Sequence, residues 1–154
     1  MAARKLKAFL ERNGVSYEVI SHARTYTAPE TAASSHVPGR DFAKTVIVVS
    51  RDEMVMVVLP ANRRIVLSDL QDLLSDRNLR LATESEFVER FPDCELGAMP
   101  PFGNLYELPV YIAQSLAEEP VIAFNAGTHR ETIKMSFRDY AELVQPSILD
   151  FATA

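Results

Sequence analysis

Apolar and polar residues recur along this chain with two periods, and each period predicts a different element. Leu6, Phe9 and Leu10 follow i, i+3, i+4 spacing before Asn13-Gly14, which predicts a short amphipathic helix over residues 3–12. Val15, Tyr17 and Val19 alternate with polar partners, as in a half-buried strand that ends near Ser21-His22. Two nearly continuous apolar runs, "FAKTVIVV" (42–49) and "MVMVVLP" (54–60), flank the polar "SRDE" and predict a hairpin. "LRLA" (79–82), "LPVYIA", "VIAFNAG" and "ETIKM" read as further strands.

Polar residues also punctuate the pattern. Thr27 and Glu30 have the spacing of a capping box, with Pro29 in the first turn, so a helix is expected over roughly 28–36, closed by Val37-Pro38-Gly39. The same signature predicts helix starts at Ser68, Thr83 and Ser136, and Pro146 bars extension of the last helix. Several strands interrupted by four or five short helices indicate an α+β domain, not a regularly alternating α/β sheet. No long linker, low-complexity tract or internal repeat divides the chain, so residues 1–154 are expected to form one domain.

Composition narrows the function classes. The chain is 47% hydrophobic and 24% charged, as in an ordinary globular protein. No apolar run approaches the roughly 20 residues that span a bilayer. "MAARKLKAFLER" is basic but lacks the apolar stretch of a signal peptide, so a cytoplasmic location without membrane contact is the expectation. The single cysteine, Cys94, agrees with a reducing compartment and reads as a small hydrophobe, not a nucleophile. A net charge of −5 and the lack of a basic recognition helix argue against DNA binding. Local basic clusters remain at Arg4, Lys5, Lys7 and Arg12, and at Arg130, Lys134 and Arg138. Phosphate loops, dinucleotide fingerprints, nucleophile elbows and zinc-protease pairs are absent. His22, His36 and His129 are widely separated, so neither a metal site nor a cofactor is expected.

Three features could carry chemistry. On a strand, Lys44 shares a face with Phe42, Val46 and Val48. Its ammonium either reaches water at the strand end or sits at the mouth of an apolar pocket, suited there to a carbonyl, carboxylate or phosphate. "LGAMPPFGNL" (96–105) is a stiff loop whose glycines admit close backbone approach, or simply a rigid connection. "NAGTHR" (125–130) is a hairpin turn by pattern, with Gly127 supplying a positive φ.

Taken in order, "SHARTYTAPETAA" (21–33), "FAKTVIVV" (42–49), "LGAMPPFG" (96–103) and "AGTHRETIKM" (126–135) resemble the YbaK/prolyl-tRNA-synthetase-associated family of aminoacyl-tRNA deacylases and editing domains. The resemblance implies a mixed, β-barrel-like sheet surrounded by short helices, with a cleft for the aminoacylated 3′ end of tRNA. It implies a free-standing deacylase that hydrolyses mischarged tRNA, carrying a small amino acid on a tRNA such as that for proline, with an aminoacyl-tRNA synthetase as a further partner. The family's lysine falls on Lys44 as the catalytic residue. Its substrate-binding positions fall on His22, Thr27, Gly97, Ala98, Met99, Pro101, Phe102, Gly103, Gly127, Thr128 and His129. For Thr27 and Glu30 the capping role is the preferred reading. Many relatives carry two adjacent glycines where this chain has Gly97-Ala98, so a non-catalytic module that senses an amino acid or aminoacylated tRNA end is the alternative.

Overall fold

The computed structural model describes residues 4–154. Its strands are β1 (Glu18–Ser21), β2 (Phe42–Ser50), β3 (Glu53–Pro60), β4 (Arg64–Ile65), β5 (Arg80–Leu81), β6 (Val110–Ala113), β7 (Val121–Asn125), β8 (Glu131–Ser136), β9 (Ser147–Leu149) and β10 (Ala152–Thr153). The helices are α1 (Arg4–Arg12), α2 (Ala28–Ser34), α3 (Leu67–Leu73), α4 (Glu84–Phe87), α5 (Gln114–Ala117) and α6 (Phe137–Val144). The α+β expectation holds. Position 3 of the helix expected over 3–12 lies outside the described residues.

The main sheet runs β1-β8-β7-β2-β3-β6-β9, with β5 added on β2, while β4 and β10 form a separate pair. It is mixed: β2 is antiparallel to β3 and parallel to β7, and β6 is parallel to both β3 and β9. The expected hairpin joins β2 to β3 through Arg51 and Asp52, both with φ in the left-handed region (53° and 64°), the twist a two-residue hairpin turn requires. Asp76 steadies it by accepting from Ser50 Oγ and the Arg51 N–H, each at 2.9 Å.

The helix starts follow the sequence at three of four places. Thr27 Oγ1 accepts from the Glu30 N–H at 3.2 Å, but the Glu30 carboxylate takes the Thr27 hydroxyl instead of its backbone N–H, so half the box forms. Thr83 and Glu86 complete the reciprocal box, and Ser136 Oγ accepts from the Asp139 N–H at 3.1 Å. Ser68 is the correction. It lies inside α3, whose N-cap is Val66 with no side-chain cap. The Val66 N–H is held by the Phe151 carbonyl, and the Gln71 amide donates to the Leu79 carbonyl, so tertiary bonds replace the expected box.

Strand alternation divides the core. Ala43, Ile47, Met56, Val58, Ile122, Phe124 and Ile133 face the larger cluster, closed by Leu6 and Leu10 of α1 and Tyr140 of α6. The other face carries two smaller clusters. Val46, Val48, Val57, Leu59, Leu70 and Phe151 form one; Phe42, Ala61 and Ala123, with Ala32 and Val37, form the other.

Candidate active site

Lys44 occupies the seam between those two smaller clusters. It shares its face with Phe42 on one side and Val46 on the other, and is paired across the hairpin with Leu59. This explains a cation on an otherwise apolar strand face: the face is interrupted there. The Lys44 ammonium is half-buried and makes no hydrogen bond or ion pair among the described residues. Burial lowers its pKa, because the charged form loses hydration that no partner replaces.

The seam arises because β7 leaves β2. The parallel ladder pairs Phe42 with Ala123 and Ala43 with Phe124, then stops. One step further in that register, Lys44 stands level with Asn125, the last residue of β7. Asn125 is paired in turn with Thr132, and Thr132 with Ile20. A polar row therefore crosses the sheet from Lys44 through Asn125 to Thr132. Thr132 is fully buried and bonded to Ser35 Oγ at 2.8 Å and to His22 Nε2 at 3.2 Å. His22 Nδ1 donates to the Ala23 carbonyl at 2.8 Å, which leaves Nε2 as the acceptor for a hydroxyl. Asn125 is 7% exposed, and its Oδ1 is buried without a hydrogen-bond partner among the described residues.

The structure draws three of the motif segments together. The Gly127 N–H donates to the Ala98 carbonyl at 2.9 Å, and the Glu95 N–H to the Gly127 carbonyl at 2.8 Å. His129 ties the group: its N–H donates to Glu95 Oε1 at 2.8 Å, its Nε2 to the Leu96 carbonyl at 2.7 Å, and its carbonyl accepts from the Thr25 N–H at 3.2 Å. Arg24 adds an ion pair to Glu95 at 3.4 Å. Gly97 has φ +82°, so glycine is favoured there by backbone conformation. Thr128 is half-buried on the turn.

Other predicted positions have visible packing roles. The side chains of Met99 and Phe102 are buried in the larger cluster, where Phe102 packs edge-on against Phe9, Phe124 and Tyr140. The Pro101 carbonyl accepts from Tyr140 Oη at 2.6 Å. A Cβ on Gly103 would lie 2.5 Å from the Leu108 carbonyl oxygen, so this glycine permits close packing of backbone on backbone. Thr27 caps α2. Ala98 is fully buried, and its N–H and carbonyl are both engaged inside the loop. Sequence reasoning missed Asn125, which reads as the polar end of an apolar strand. Its parity with Lys44 across β2 and β7 is the signal that exposes it.

A hollow of about 910 Å³ lies on the opposite face, lined by Arg4, Lys5, Glu86, Glu89, Arg90 and Tyr106 among others. It reaches β3 only at Met54, five residues along the strand from the partner of Lys44. Cys94 lies nearby, 3.3 Å from Tyr106 Oη, and burial pushes its thiol up to about 11. At the Lys44 seam, by contrast, the Lys44 ammonium and Asn125 Oδ1 make no hydrogen bond among the described residues. Of the basic residues, Lys7 is paired with Glu131 and Arg138 with Glu142, whereas Arg130 is exposed beside His129. Among the described residues no group of three or more His, Cys, Asp or Glu is placed to hold a metal ion, and no helix is long and apolar enough to cross a membrane.

Comparison with known proteins agrees with the fold. The chain is 26% identical over 155 residues to the multifunctional Ser/Thr-tRNA deacylase ProXp-y of Escherichia coli strain K12, covering 96% of this chain and 90% of that protein. Its fold superposes with a TM-score of 0.86 on a candidate trans-editing enzyme for prolyl tRNA synthetase, at 23% identity over 99% of this chain and 98% of that one. Hypothetical protein APE2540 gives the same TM-score at 21% identity, with 97% and 100% covered. The aminoacyl-tRNA editing domain matches residues 22–143, which include the Lys44 seam, the glycine/proline loop and the 127–129 turn; the chain belongs to the aminoacyl-tRNA editing domain family.

Proposed function

We propose that this chain is a free-standing deacylase that hydrolyses the ester of mischarged tRNA in trans, removing a small amino acid from a tRNA such as that for proline. The observation that carries the reading is Lys44: a half-buried ammonium, without a partner among the described residues, between two apolar clusters of an editing-domain fold. The serine and threonine named for the Escherichia coli relative are small polar residues, which suits a narrow seam.

An aminoacyl ester is already activated, so positioning and charge stabilisation supply much of the rate. Lys44 donates to the ester carbonyl oxygen. That oxygen gains negative charge as water attacks, so the bond strengthens towards the transition state, which is the condition for acceleration. Among backbone donors, the Ala98 and Gly127 N–H groups are already committed within the protein. The donors left to the substrate near the loop are the N–H groups of Gly97 and Thr128. His22 is not free to act as a general base, since both its nitrogens are engaged. His129 donates through Nε2 to Leu96 and is held as part of the loop, and the water is activated by substrate groups. The 3′ end approaches past Tyr26, which is 73% exposed with the Arg24 guanidinium 5.7 Å from its ring centroid, a surface on which a terminal base can stack.

The test is a panel of tRNAs charged with alanine, serine, threonine and cysteine, including charged tRNA for proline, assayed for release above the spontaneous rate. Rapid release of one or more small amino acids is expected. Binding without release across the panel would instead make the chain a sensor of aminoacylated ends.

A further inference from the structure

A second polar group in the seam has no structural employment. Asn125 is more than nine-tenths buried, yet its Oδ1 accepts nothing among the described residues. Leaving a buried acceptor unpaired costs free energy that an apolar residue of similar volume would avoid. The neighbouring polar groups do not remedy this: Thr132 is taken by Ser35 and His22. The other residues of β7, from Ile122 to Phe124, are apolar and buried. Position 125 therefore departs from its strand for a reason outside the packing.

We propose that Asn125 Oδ1 accepts a hydrogen bond from the α-amino group of the aminoacyl ester and so positions the scissile carbonyl at Lys44; the inference rests on the deacylase reading above. The parallel ladder ends with Ala43 beside Phe124, so Lys44 and Asn125 are the next residue of each strand and fall on the same face of the sheet. In every aminoacyl ester the carbonyl oxygen and the α-nitrogen are separated by a single C–C bond between their carbons. A donor at Lys44 and an acceptor at Asn125, each one residue beyond the ladder on the same face, suit that fixed pair whatever the amino-acid side chain. A neutral acceptor is also the chemically apt choice. A carboxylate at this place would pair with Lys44 and withdraw the ammonium from the ester, whereas an amide oxygen binds an amino group and leaves the lysine charge available. Asn125 is accordingly a substrate-positioning residue.

The test compares two substrates and three proteins. The substrates are the best aminoacyl-tRNA of the panel and its des-amino counterpart, in which hydrogen replaces the α-amino group. The proteins are the wild type, Asn125→Ala and Asn125→Leu, the last with the same four-atom branched skeleton and without an acceptor. Rates are expressed relative to spontaneous hydrolysis of each ester. The wild-type acceleration is expected to fall about 10- to 100-fold on removing the amino group, the range for one hydrogen bond involving a charged partner. The variants should lose that same factor on the aminoacyl ester and nothing further on the des-amino ester. At least one of the two should keep the wild-type thermal midpoint, because the acceptor removed has no hydrogen-bond partner among the described residues. Equal losses on both esters, no loss on either, or unfolding of both variants would overturn the proposal while leaving the deacylase reading in place. A wild type silent on the whole panel would overturn that reading itself, and it is seen before any variant is made.

Discussion

Replacing Lys44 with methionine separates the energetic cost of its charge from its use. Lys44→Met keeps an unbranched side chain in the seam beside Phe42, Val46 and Leu59 and removes only the ammonium. If the ammonium stabilises charge developing on the ester oxygen, the loss should resemble removal of one oxyanion donor, about 10²–10³ in kcat or roughly 2.7–4 kcal/mol. Stability should move the other way. The lysine pKa is depressed by burial, so the folded protein holds its proton less tightly than the unfolded chain. The charged lysine therefore disfavours folding at every pH below its folded pKa, and this penalty fades as pH rises from that value towards the unfolded value of 10.5. Water reaches the half-exposed group and screens most of the penalty, leaving a gain on the order of 1 kcal/mol or less for Lys44→Met at neutral pH. Single-turnover deacylation with saturating enzyme reports the first quantity, and urea unfolding at pH 7 and at pH 10 the second. A variant that keeps kcat and raises only KM would reduce Lys44 to ground-state binding. A variant several degrees less stable than the wild type would refute the account of an unpartnered charge.

Two other consequences follow from the packing. Gly103→Ala forces a Cβ to within 2.5 Å of the Leu108 carbonyl oxygen, so it should cost about 1–3 kcal/mol or more in urea unfolding, and near-wild-type stability would show that the loop backbone yields easily. With its thiol pushed up to about 11, Cys94 should be thiolate to only ~0.1% at pH 8, roughly 200-fold less than a free cysteine. Iodoacetamide should then modify it slowly until the protein is unfolded, and alkylation of the folded chain at the free-cysteine rate would contradict its burial against Tyr106.

Much of the secondary structure was legible because it rests on local rules. The β2–β3 hairpin follows from two apolar runs around a four-residue polar break, and α6 from Ser136 and Asp139 before a helical period. Where tertiary bonds competed, the local rule lost: Ser68 and Gln71 carry a capping signature, but the Gln71 side chain is engaged by Leu79, and the Phe151 carbonyl holds the chain at Val66, where the helix begins. The short elements β4, β9, β10 and α5 have too few residues to show a period, and pairing with distant segments decides them.

The site divides in the same way. Sequence by itself determined that Lys44 shares a face with apolar neighbours and that Gly97 and Gly127 sit in segments needing unusual backbone, because alternation and glycine's conformational freedom are local properties. It left open whether that face was interrupted, and Gly103 looked like an opening for a ligand when it is a contact with Leu108. Only the tertiary structure decided that β7 departs from β2 after Phe124, splitting the face into two clusters with Lys44 between them. The pairing that precedes it brings Asn125 and Lys44 to the same end of the ladder across eighty-one residues of sequence, and parallel strand pairing at that separation has no local signature. A polar residue ending an apolar strand is ordinary in one dimension; its buried, partnerless oxygen becomes visible only when the strands are laid side by side.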